Sequence, residues 1–386
     1  MTRLQLTTNK GYYPIQFRRK YKQPTASSVI LLMPMRYKIF IFVLFFFPLP
    51  EAEYLFAQTH GTPPPVIRNL VFEGAGIRGL AYAGAVSALE EHHLLDSVQN
   101  VGGTSAGAIT ALMISLGYKS DEIYKIITGT KYKRFNKGCC FFIGGMIRLN
   151  SHFGWYRNQR FIKWLEQLVI DKTGTADVRF KDLDSLGLKN LVVTGTCLNH
   201  QRSVIFSKES FPDMRIVDAV AISMTIPLYF RAIFMDDKGN TYRNIRDKDS
   251  LHVMVDGGVL ANYPIYLFDK PSGKSVSGRT ADPHTLGFRI DSRAQILQDS
   301  IAINTLAPRK IEKLSDYVGA LYNVTGETLN RYPLTKDDWR RTVSISSEGI
   351  GPRIKKLSFE ERMALFNSGK KATEKYLNRL SRTRRK

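Results

Sequence analysis

From about Val66 onward the apolar positions fall into short strand-like runs and longer helical stripes. Residues 67–72 are largely apolar and suit a buried strand. Residues 80–95 place Leu80, Ala83, Ala85, Val86 and Leu89 at helical spacing. A weakly apolar segment ends at Gly103, and 108–116 again reads as a helix. Ser120 is suited to N-cap a helix over 121–128. Residues 155–170 carry Phe161, Trp164, Leu165 and Leu168 on one stripe, which predicts an amphipathic packing helix. Residues 191–197 read as a strand with 203–206 as its hairpin partner, and 216–224 as a short helix stopped at Pro227. Strands are expected at 251–255 and 286–290, mainly helix over 292–331, and a short strand at 342–345. Ser358 and Glu361 form a capping box that opens a last helix running to about Leu380.

The polar and irregular stretches divide the chain. Residues 61–65, Gly-Thr-Pro-Pro-Pro, form a linker, because this composition enters neither helix nor ladder. Ahead of it, residues 1–60 read as an extension outside the fold. Within it, a basic start at Arg36 and Lys38, an apolar run over 39–47, Pro48 and a cleavage position at Ala57 follow the plan of a signal peptide over 35–57. The expectation is a secreted or envelope-associated protein translated from Met35, with an uncleaved membrane anchor as the alternative. Residues 131–145 pair a basic run with an apolar, glycine-bounded one. We read them as a connection packed on the core, the alternative being a loop that covers a site or meets a membrane. Residues 236–250 are a polar surface excursion. The organisation is thus an extension (1–60), a linker (61–67), a catalytic domain (68–290) and a mainly helical C-terminal extension packed on it (291–386), ending in a basic tail.

Charge narrows the partners. The net charge is +22 over 386 residues, but 1–60 hold +6 and 370–386 hold +7, leaving +9 for the body. With the excess in the terminal segments and no zinc-finger, RNP-like or helix-turn-helix pattern, the charge is a poor argument for a nucleic-acid groove, and no nucleic-acid partner is expected. An anionic membrane surface fits the same charge. Cys139, Cys140 and Cys197 make neither a disulfide framework nor a spaced metal site.

Three glycine-containing junctions carry the chemistry. Gly103-Thr104-Ser105-Ala106-Gly107 is a G-x-S-x-G match between a strand-like segment and a helix, the setting that lifts a serine clear of the backbone. A side chain at Gly103 or Gly107 would crowd the turn. Gly74-Ala75-Gly76-Ile77-Arg78-Gly79 joins a strand to a helix N-terminus, where N–H groups and the dipole favour negative charge. It also fits the dinucleotide pattern, but the second strand ends in Gly102-Gly103-Thr104-Ser105 where that reading needs an acidic residue for the ribose. An oxyanion hole is the better use of the loop, with Arg78 bracing it or binding phosphate. Asp256-Gly257-Gly258 ends a strand and offers a carboxylate as proton acceptor for Ser105. A Ser105–Asp256–His284 triad would follow the α/β-hydrolase order, but none of the seven histidines sits in a setting that demands that role, so a two-residue dyad is preferred.

Taken together and in order (74–79, 103–107, Ser-Met-Thr-Ile-Pro at 223–227, and Asp256-Gly257-Gly258), these motifs make residues 68–290 resemble the patatin-like phospholipases. The resemblance implies a three-layer α/β/α sandwich with a mostly parallel central sheet and a nucleophile elbow. It implies lipid acyl hydrolysis by Ser105 as nucleophile and Asp256 as base, without metal, nucleotide or other cofactor. Backbone N–H groups of Gly76, Ile77 and Arg78 would form the oxyanion hole. Ala75 stands where the family often has a third glycine, and Gly258 where many members carry alanine. A lipid-binding protein without turnover is the alternative on the same fold.

Overall fold

Strands buried on both faces lie side by side at the centre of the structure, as expected of short, near-continuous apolar runs. The computed structural model describes residues 66–135, 143–242, 251–273, 277–301, 305–331, 333–352 and 355–383. The N-terminal extension with its 35–57 segment, linker residues 61–65, the 136–142 stretch with Cys139 and Cys140, and the end of the basic tail lie outside the described residues.

The strands are β1 (Asn69–Phe72), β2 (Asn100–Gly103), β3 (Gly154–Tyr156), β4 (Asn190–Cys197), β5 (Arg202–Phe206), β6 (Leu228–Phe230), β7 (Ile233–Met235), β8 (Thr241–Tyr242), β9 (His252–Asp256), β10 (Lys270–Pro271), β11 (Arg279–Thr280), β12 (Thr285–Asp291) and β13 (Thr342–Ser346). The helices are α1 (Leu80–Glu91), α2 (Ala106–Ser115), α3 (Ser120–Gly129), α4 (Ile143–His152), α5 (Gln159–Thr173), α6 (Ile216–Ser223), α7 (Arg293–Ile301), α8 (Leu314–Arg331), α9 (Lys336–Arg340) and α10 (Phe359–Thr383). The main sheet runs β13-β12-β1-β2-β4-β9-β7-β8, with β5 paired to β4. It is parallel from β13 to β4 and antiparallel beyond. Helices on the sheet complete a three-layer α/β/α sandwich: α2 and α6 pack on the central strands, α5 packs on α6, and α10 packs on β13 and α1.

Register decides which residues share an edge. Phe72 pairs with both Gly103 and Phe288, so β1 and β2 end level with each other. Their carboxyl ends carry the glycine-rich loop and the Ser105 turn, the edge where open α/β sheets bind ligands. Phe72 stacks on Phe288 at 4.9 Å and meets Tyr82 edge-on at 5.1 Å. Burial of one such ring contributes roughly 1.5–3 kcal/mol.

The C-terminal segment joins this frame by backbone and by charge. β13 extends the sheet beside β12, and α10 crosses α1 so closely that a Cβ on Gly84 would reach Phe366 backbone and one on Gly369 would reach Ala81 backbone. The Glu361 N–H donates to Ser358 Oγ at 3.1 Å and the Ser358 N–H to Glu361 Oε2 at 2.9 Å, the expected capping box. Arg289 on β12 and Arg331 on α8, both 1% exposed at the side chain, share Asp291 and Glu327; Arg289 also meets Glu73, and Arg331 meets Asp299. Desolvation of those charges is met by several charge-assisted hydrogen bonds each.

Two expectations change at their edges, and a third gains detail. The 155–170 helix begins only at Gln159, because Trp155 and Tyr156 enter β3, which pairs with β6. Gly174 in the left-handed region then stops it after Thr173. The mainly helical 292–331 stretch is divided into two helices, α7 and α8. In the 131–145 connection, Tyr132–Arg134 forms a single turn, Phe135 packs against Phe161 and Trp164, and α4 already begins at Ile143.

Candidate active site

Ser105 sits between β2 and α2 with φ 55° and ψ −121°, a conformation sparsely populated by non-glycine residues. Close packing holds it there. A Cβ on Gly103 would come within 2.6–2.8 Å of Gly107 and Phe72 backbone atoms, and one on Gly107 would press on the Phe72 and Glu73 carbonyls. Both glycines are therefore steric requirements of the turn. Thr104 seals it from below, with its hydroxyl 2.6 Å from that of Thr194 and donating to Ala261 O at 2.7 Å.

The strained turn points the Ser105 hydroxyl at Asp256. Ser105 Oγ donates to Asp256 Oδ2 at 2.8 Å, while Oδ1 accepts the Gly258 N–H at 2.7 Å. Asp256 is the last residue of β9, and its own N–H donates to Thr225 O at 2.8 Å. Gly257 lets β9 turn against Thr194, where a side chain would clash with the Thr194 carbonyl. Both dyad members are nearly buried, at 8% and 6% exposure. Burial pushes the Asp256 carboxyl up to about 6, and the Gly258 N–H and Ser105 hydroxyl pull it partly back. Such a group is a carboxylate at neutral pH, yet basic enough to take a hydroxyl proton in a transition state.

The 221–227 run packs at the elbow. Ser223 Oγ accepts the Ser105 N–H at 2.9 Å, and Met224 Sδ lies 3.4 Å from Ser105 Oγ. The glycine-rich loop flanks the elbow at both its ends: a Cβ on Gly74 would stand 3.2 Å from Ser105 Cβ, and one on Gly79 3.1 Å from Ala106 Cβ. Gly76 has φ +57° and begins the turn Gly76–Gly79 that leads into α1. Arg78 braces the loop, its Nε donating to Ala75 O at 3.1 Å. The Ile77 N–H donates to Pro352 O at 3.3 Å, so the loop already presents one donor to a carbonyl oxygen.

Sequence reading missed two supports. Asn262 donates through Nδ2 to Gly74 O at 3.0 Å, its carbonyl accepts the Gly74 N–H, and its own N–H donates to Asn330 Oδ1 on α8. It joins the glycine-rich loop to the segment after Asp256, and nothing in its spacing singles it out. Glu73, next to the loop, accepts the Ile290 N–H at 3.0 Å and lies 3.3 Å from Arg289. Burial pushes its carboxyl up to about 8, against the pull of Arg289.

His284 is elsewhere. It precedes β12, four residues before Phe288, which is level with Gly103; that is roughly 13 Å of strand. Its Nδ1 bonds Val66 O at 2.8 Å. A groove lined by His152, Arg157, Asp218 and Arg231 shares no residue with the dyad.

A family model described as patatin-like phospholipase matches residues 70–269, just over half of the chain. The chain belongs to that family. The mimivirus protein R571 of Acanthamoeba polyphaga mimivirus is 28% identical over 320 residues, covering 81% of this chain and 95% of its own length. A protein of Invertebrate iridescent virus 6 named probable lipid hydrolase 463L is 27% identical over 212 residues, covering 55% of this chain and 66% of its own. Among solved structures, VipD from Legionella pneumophila has TM-score 0.50 at 17% identity, covering 81% of this chain and 67% of that one, a likeness of fold. This patatin-like phospholipase is a hydrolase of ester bonds, and lipid acyl esters are its substrate class.

Proposed function

We propose that this enzyme cleaves lipid acyl esters through an acyl-enzyme on Ser105, with Asp256 as the sole side-chain base. The observation that carries the reading is the 2.8 Å hydrogen bond from Ser105 Oγ to Asp256 Oδ2, made from a backbone held at φ 55°. Asp256 takes the hydroxyl proton as Oγ attacks the ester carbonyl. The tetrahedral oxyanion is met by N–H groups of Gly76, Ile77 and Arg78, with Ile77 exchanging Pro352 O for the substrate. Collapse expels the alcohol, which leaves with the proton from Asp256. Water, deprotonated by the same carboxylate, then releases the fatty acid and restores Ser105. The basic terminal segments are suited to hold the enzyme at an anionic lipid surface, and the 35–57 segment to export or anchor it.

The test is hydrolysis of a mixed phospholipid and glyceride panel, together with labelling by a serine-reactive fluorophosphonate. Wild type should hydrolyse the panel and label at Ser105; Ser105→Ala, still folded, should do neither. Folded wild type that neither labels nor hydrolyses would make this a lipid-binding protein. Full activity in Asp256→Asn with loss in His284→Ala would replace the dyad by a triad.

A further inference from the structure

A second cluster of reactive side chains lies on the strand pair that carries Asp256, at its other end. Cys197 is the last residue of β4, a free thiol 2% exposed. His200 follows in the β4–β5 turn, and His252 opens β9. One donor atom from each lies within 4.8 Å of the other two, and the two imidazole rings are in contact at 4.8 Å between centroids. The backbone beneath them is fixed. Cys197 pairs with Met254, Leu198 N–H donates to Val253 O at 2.9 Å, and Val253 N–H donates to Asn199 Oδ1 at 2.6 Å.

We propose that Cys197, His200 and His252 bind a zinc-class transition-metal ion that staples the head of β9 to the end of β4. One thiolate and two imidazoles form a donor set that suits zinc and disfavours magnesium or calcium. Bonds of about 2.0–2.3 Å put donors in a tetrahedron roughly 3.5 Å apart, so side-chain rotation of about 1 Å closes the site. His252 also has an outer partner: its Nε2 lies 2.7 Å from Asp237 Oδ1 on the β7–β8 turn. With Nε2–H donated to that carboxylate, Nδ1 is left as the basic nitrogen, the outer-partner arrangement common in metal-bound histidines. Water fills the fourth position. The ligands escape a spacing search because His252 is far from Cys197 and His200 in sequence and reaches them only through the antiparallel pairing. Asp256 lies two residues beyond Met254 on β9, so the clamp fixes the strand that presents the base without touching the dyad.

Metal-free full-length protein titrated with Co²⁺ tests this without reference to activity. Uptake of one ion per chain is expected, with a thiolate-to-cobalt charge-transfer band in the near ultraviolet and the visible bands of a four-coordinate site, both bleached by zinc. Cys197→Ser should lose the charge-transfer band. His200→Ala, a change at an exposed turn residue, should weaken binding roughly tenfold or more, and Asp237→Ala roughly ten- to a hundredfold. If Cys197→Ser does not fold, His200→Ala decides. Failure of folded wild type to take up cobalt, or a spectrum and affinity unchanged in His200→Ala, overturns the site.

Discussion

Ser105 Oγ and Asp256 Oδ2 stand 2.8 Å apart across 151 positions of sequence, and the second carboxylate oxygen is occupied by the N–H of Gly258. The carboxylate proposed as base is thus aimed by the glycine two residues after it. In a triad that orienting task falls to a third side chain acting on a histidine. Here the strand end and its glycine turn hold the carboxylate, the arrangement that the proposed two-residue site relies on.

Because burial sets Asp256 near 6, activity should depend on one deprotonation in that region. The log of kcat/KM is expected to be flat above pH 6 and to fall toward a slope of one below it, about tenfold per pH unit. A pH–rate profile on a soluble ester checks this. A midpoint near the ordinary carboxylate value would mean that the base is a solvated carboxylate and not Asp256.

The same burial has a cost for the fold. A raised carboxyl pKa means that the native state binds the proton more tightly than the unfolded chain does. The penalty is therefore absent below the ordinary value of 3.8, grows as pH rises to about 6, and is constant above that. The shift of about two units corresponds to about 3 kcal/mol. Asp256→Asn should accordingly abolish turnover while raising stability above pH 6 by up to about 3 kcal/mol, reduced by the weaker acceptor it offers Ser105 and Gly258. Near pH 4 the gain should vanish. Urea unfolding of both proteins at the two pH values provides the comparison.

Local chemistry was the legible part of this chain. Glycine spacing marked the elbow and the loop, because steric exclusion at Gly103 and Gly107 leaves no other residue to choose. Strands β1, β4 and β12 were readable because both faces are buried. Trp155 and Tyr156 misled, since a helical stripe and a strand pairing compete for the same apolar residues, and tertiary pairing with Leu228 and Phe230 prevailed. Asn262 and the Glu73–Arg289 contact were out of reach because each is defined by a partner on another element. His284 was a fair candidate by chain order and fails only on register, which places it at the wrong end of β12.

Gly107→Ala tests whether the elbow's strain is held by packing. The added methyl would press on the Phe72 and Glu73 carbonyls, which belong to the sheet and its paired loop and cannot rotate away. Overpacking of this kind costs roughly 1–3 kcal/mol. Relaxation by moving α2 would also turn Ser105 away from Asp256. The expected result is a lower melting temperature together with slower fluorophosphonate labelling; a variant that labels as fast as wild type would show that the turn tolerates the methyl.

Arg331 links the C-terminal helices to the catalytic edge, and its removal should damage both. Its guanidinium, 1% exposed, meets Asp291 at 2.7 Å, Asp299 at 2.6 Å and Glu327 at 3.3 Å. Arg331→Ala leaves those carboxylates short of their shared cation, and breaking a buried pair from one side costs roughly 3–5 kcal/mol. Arg331→Lys keeps the charge but loses the planar fork that reaches three partners at once, so it should fall between wild type and Arg331→Ala. Asn330, the adjacent residue, receives the Asn262 N–H, and Asn262 in turn holds Gly74 beside Ser105. Loosening the end of α8 should therefore lower kcat in protein that is still folded, in the order wild type, lysine, alanine. Chemical denaturation and turnover measured on the same three preparations separate the two effects. Equal kcat in all three would mean that the α8 anchor serves stability alone.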